Sequence, residues 1–82
     1  MGKKLLPRQE IVRLLNEALQ RSGLCEGVAV DDIRQVADEH AVANWDTPAL
    51  NGVFGHPIAR ECVLFFEATK SQLQERYDWT LD

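Results

Sequence analysis

The stretch from Trp45 to Leu81 decides what this chain can fold into, because it supports two incompatible local readings. It opens on Asp46-Thr47-Pro48, a helix start in which Thr47 caps and Pro48 takes the first position, where a missing N–H costs nothing. Leu50, Val53, Phe54 and Ile58 then share one side of that helix. Pro57 removes a donor and crowds the carbonyl four residues back, so the helix kinks or ends there. Beyond it, Val63-Leu64-Phe65-Phe66 is an apolar run of strand length, Thr69 to Arg76 is polar, and Tyr77, Trp79 and Leu81 alternate with polar residues. That pattern predicts helix, strand, polar loop, strand. The competitor is one long helix: Ile58, Cys62, Phe65 or Phe66, Thr69, Leu73 and Tyr77 recur at helical spacing, and Glu67 to Arg76 is rich in helix formers. Propensity alone favours the helix, and both readings of residues 58–77 stay open.

The segments before it are read as two supporting helices. Pro7 suits the first turn of the first, and Ile11, Leu14, Leu15, Ala18 and Leu19 form a one-sided stripe of helical period. Gly23 supplies the stop, being free to adopt the left-handed conformation. Asp31 is a good N-cap for the second, in which Ile33, Val36, Ala37 and His40 share a face. The short run Val28-Ala29-Val30 between them is of strand character.

Eighty-two residues make one domain, 1–82, and an apolar content of 45% implies a packed core rather than a disordered tail. The net charge is −4, against the basic face expected of a phosphate-gripping protein. The charge is uneven: Met1 to Arg21 holds five basic and two acidic residues, Ser22 to Asp46 one and six, and Thr47 to Asp82 three and five. Residues 1–6 read as a flexible basic arm. Cys25 and Cys62 are too few for a disulfide framework, and Cys62 reads as a small buried hydrophobe. MGKKLLPRQE lacks the apolar core of a secretory signal, so a cytoplasmic protein is expected. No Gly-rich phosphate loop or nucleophile elbow occurs, and no metal-ligand spacing; His40 has Asn44 at i+4. An enzyme, a cofactor and a metal site are not expected.

Asp31-Asp32-Ile33-Arg34, Leu50-Asn51-Gly52-Val53-Phe54, Lys70-Ser71 and the terminal Trp79 resemble small winged-helix (winged helix-turn-helix) proteins of phage and prophage type, over about Glu10 to Leu81. Gly55-His56-Pro57 stands where those proteins tend to carry a cation, and Cys62 where they have glycine. The resemblance implies a mainly α fold with a small β-hairpin; the alternative is an all-α bundle of three to four helices. It also implies double-stranded DNA as partner, bound by a bacterial or phage regulatory accessory factor. Asn51, His56 and Arg60 would lie on the recognition helix, where Asn pairs with adenine and Arg with guanine. Lys70 and Arg76 in the wing, and Lys3, Lys4 and Arg8 in the arm, would meet phosphates. The second expectation is an acidic protein–protein adaptor that does not bind DNA, with Gly52, Gly55 and Ala59 as a smooth face and Trp45 as an anchor. A homodimer is the third.

Overall fold

The computed structural model describes residues 3–48, 50 and 58–82. In chain order these form β1 (Lys4–Leu6), α1 (Arg8–Ser22), β2 (Arg34–Gln35), β3 (Trp45–Asp46), α2 (Arg60–Arg76) and β4 (Tyr77–Trp79). The class is mixed α/β: two helices packed on each other, a parallel two-stranded sheet of β1 and β4, and an antiparallel one of β2 and β3.

α1 forms where its stripe predicts. Ile11, Leu15 and Leu19, one turn apart, are buried, and Arg13 bridges Glu10 and Glu17 on the opposite face. Pro7 is the N-cap and offers no side-chain acceptor; Gly23, at φ 69°, ends the helix in the left-handed region. The missing cap comes from the far end of the chain. Leu81 takes φ 64°, and Asp82 Oδ1 accepts hydrogen bonds from the Arg8 N–H (3.0 Å), Trp79 Nε1 (2.7 Å) and Thr80 Oγ1 (3.1 Å). A carboxylate at a helix N-terminus satisfies an orphan donor and complements the dipole.

The C-terminal segment is the long helix, not strand, wing and strand. α2 has Glu61 in its first turn and Arg76 in its last, and buries Cys62 and Phe66 against α1. Local propensity and the 3.6-residue spacing act together there. The alternating close does become a strand, β4, but its partner is β1, in parallel: Lys4 faces Tyr77, Leu5 faces Asp78 and Leu6 faces Trp79. Residues 4–6 are therefore not a free arm. The β1–β4 pairing is a long-range fact that no local pattern carries.

The expected second helix is absent. Arg34–Gln35 pairs antiparallel with Trp45–Asp46, and the Val36 N–H continues the hairpin by donating to the Asn44 carbonyl at 2.9 Å. Asp31, read as the helix cap, caps no helix, and the nearby aspartates serve local turns: Asp32 accepts from the Ile33 N–H and Asp38 from the His40 N–H. Only Ile33 of the proposed face is buried; Ala37 and His40 are exposed. Asn16 on α1 pins the preceding chain with both ends of its amide, donating to the Val30 carbonyl at 3.0 Å and accepting the Val30 N–H at 2.7 Å. The third helix was expected from Thr47 to Ile58; residues 49 and 51–57 lie outside the described ones, and Thr47, Pro48, Ile58 and Ala59 are not helical.

Two further corrections concern the core. Cys25 and Cys62 form a disulfide, with Cα atoms 5.0 Å apart, joining the loop after α1 to the first turn of α2. Both are buried, so the apolar setting read for Cys62 holds while its chemistry differs. Trp45 has no exposed surface and is the largest side chain at the centre of the core, so it is not an interface anchor. Its Nε1–H donates to the Tyr77 carbonyl at 3.1 Å, and the Trp45 carbonyl accepts from Gln74 Nε2 at 2.9 Å. Beside it, the Asn44 amide imitates a strand: it donates to the Trp79 carbonyl and accepts the Trp79 N–H, both at 2.8 Å. This covers the β4 edge that β1 leaves open.

Candidate interaction surface

Among the described residues, the cations assigned to DNA do not form one patch. Asn51 and His56 lie outside the described residues. Arg60 and Arg76 are exposed at opposite ends of α2, about 24 Å apart at 1.5 Å per residue. Lys4 is exposed on β1, beside the C-terminal end of α2.

The other three cations already face carboxylates. Lys70 is mostly covered and sits 3.0 Å from Asp46 and 3.3 Å from Glu67, with its ammonium 5.8 Å from the centroid of the Phe66 ring. Its helical position turns it sideways toward the β2–β3 hairpin, where a wing would have extended it into solvent. Lys3 lies 3.5 Å from Asp78 and Arg8 lies 3.6 Å from Asp32. Releasing each for a phosphate would uncover a carboxylate beside the nucleic-acid backbone.

Electrostatics in this region favour the ionised pairs. Burial pushes the Asp46 carboxyl up, but hydrogen bonds from Lys70 and the Thr47 N–H, with the charges of Lys70 and Arg34, outweigh it and hold the group below its ordinary value. Asp82 is held low first by the Arg8 N–H and then by the Trp79 indole.

A groove of about 550 Å³ runs beside the α1 C-terminus, lined in part by Leu19, Gln20, Glu26 and Val28. Cys25 also lines it, but its sulfur is committed to the disulfide. Among the described residues no three His, Cys, Asp or Glu side chains are grouped to hold a metal, and no helix is long and apolar enough to cross a membrane.

What the sequence reading missed is the outer face of α2. Its buried face is centred on Cys62 and Phe66, with Leu73 half-covered on the same side. Leu64, two positions from each buried residue, points the opposite way and is 59% exposed; Val63 at the margin is 38% exposed. Read as a strand, Val63 to Phe66 hides this, because two of the four residues alternate inward either way. On a helix, Leu64 falls off the apolar stripe, and that misfit was the available signal. Comparison with known families, curated proteins and solved structures yields no match to this chain.

Proposed function

We propose that this chain is a small acidic, disulfide-stapled protein-interaction domain, an adaptor that does not bind DNA. The observation that carries this reading is the pairing of Lys3, Arg8 and Lys70 with Asp78, Asp32 and Asp46. With those cations paired and a net charge of −4, few cations stand ready to release counterions from a duplex. The buried disulfide points the same way. Such bonds persist in oxidising compartments, whereas DNA-bound regulators work where thiols stay reduced.

Two assays on the oxidised protein test the reading. Titration with labelled duplex DNA at low salt, where attraction between charges reaches furthest, is expected to give no binding. Selection of a displayed random-peptide library on the immobilised domain is expected to converge on related sequences. Salt-dependent duplex binding restores the DNA-binding regulator in its place; a library that fails to enrich removes the adaptor.

A further inference from the structure

On a helical wheel, the solvent side of α2 has a small apolar centre and a rim of three carboxylates and one exposed cation, Arg60, a turn before Leu64. Leu64 and Ala68 are one turn apart and exposed. Glu61 and Glu75 lie above and below them on the same line, and Glu67 flanks them; all three are exposed. Lys70 is the sole cation between Glu61 and Glu75, and it is drawn sideways to Asp46 and Glu67. An amphipathic surface helix normally has polar residues where Leu64 stands, opposite the core.

Resting on the adaptor reading, we propose that this face docks a basic amphipathic helix of a partner protein. Leu64 and Ala68 would pack under the partner's apolar stripe, and Glu61, Glu67 and Glu75 would meet its flanking lysines or arginines. The small Ala68 side chain lets a second helix approach closely. Charge complementarity selects this occupant over others. A second copy packed antiparallel about Ala68 would set Glu61 against Glu75, like charge against like. Nucleic acid and anionic lipid meet the same acidic rim and are repelled.

The probe is a fluorescein-labelled synthetic helix of about 18 residues, long enough to be helical when bound, with leucines on one face and lysines on the other. A glutamate-for-lysine version is its control. Binding is read by fluorescence anisotropy and mapped by amide chemical shifts on the oxidised protein. The lysine peptide should bind, the glutamate peptide should not, and the shifts should centre on residues 61–75. Leu64→Glu discriminates sharply, because it adds negative charge to the site while removing the apolar contact. Docking predicts at least about tenfold weaker binding for this variant, as for loss of a central interface residue. Simple charge attraction predicts equal or tighter binding, and that result overturns the proposal. Leu5→Glu, at an exposed leucine on β1, should leave affinity unchanged, and an unaltered melting curve shows that Leu64→Glu is folded.

Two other outcomes also overturn it. One is a wild-type dimer in sedimentation that Leu64→Glu dissolves, which gives the face to a second copy. The other is a set of display-selected peptides whose binding ignores Leu64→Glu, which moves the site elsewhere and leaves the adaptor reading standing. If neither the lysine peptide nor any selected peptide binds, both readings fail together.

Discussion

Removing the Cys25–Cys62 bond should cost this domain a large share of its stability. The disulfide spans a sequence separation of 37, and the chain-entropy relation for a loop of that size gives about 4 kcal/mol at ~25 °C. Both residues are buried and Cys62 is fully so, hence a Cys25→Ala/Cys62→Ala double variant leaves neither a buried thiol pair nor a new polar group, only a small void. A domain of this size has total stability of about 5–15 kcal/mol at most, so a loss near 4 brings it close to its unfolding threshold. Urea denaturation of the oxidised protein, the same protein in excess dithiothreitol, and the double variant measures this directly. Both perturbed forms should lose about 3–4 kcal/mol, and the slope against urea should rise, because the unlinked chain exposes more surface when unfolded. A loss below about 1 kcal/mol with an unchanged slope would refute the reasoning. It would mean that the unfolded chain is held compact by something other than the bond.

Leu73→Pro falls in the interior of α2 and should cost about 3 kcal/mol or more by thermal or urea unfolding; tolerance there would restore the wing. Asn44→Ala strips the amide that both donates to and accepts from Trp79, leaving backbone groups of β4 unpaired, for about 1–3 kcal/mol and faster amide exchange at Trp79. The lowered Asp46 pKa contributes stability that is complete above the ordinary carboxylate value, near 3.8, and is lost as pH falls through the lower folded value. Asp46→Asn should therefore flatten the acid limb of a stability–pH profile and leave less to lose below that point; an unchanged limb would show that Lys70 and Thr47 do not hold the ionised form.

α1 was legible except for its cap from Asp82, because its stripe, its stop glycine and its register are all local properties of one segment. α2 was legible as one of two readings, and the apolar run Val63 to Phe66 blurred it, since four adjacent apolar residues fit either period. The misplaced second helix has a clear physical cause. Asp31, Asp32 and Asp38 are as suited to turns as to helix caps, and the choice was made by Trp45 and Asp46, which pair with Gln35 and Arg34 from a distance. The disulfide and the Asn16 and Asn44 clamps join residues far apart in sequence, and no spacing rule anticipates them. The ion pairs of the assigned cations were not legible for the same reason. Their partners, Asp78 for Lys3 and Asp46 for Lys70, come from other parts of the chain.

The parallel pairing of β1 with β4 also sets an order of events during folding. It joins residues near opposite ends of the chain, and Arg8 and Asp82, 74 positions apart, are tied beside it. Contacts of such separation form late, after nearer ones have already restricted the chain. The disulfide provides a shortcut. Passing from residue 4 to 25, across the sulfurs, and on from 62 to 77 halves the length that must close. Each halving lowers the closure cost by about 0.6 kcal/mol, close to a threefold gain in encounter frequency between the two terminal strands. An oxidised chain should thus fold faster than a reduced one through the very step that seals both ends of the molecule together, and the strands at its termini should be the first part to open again.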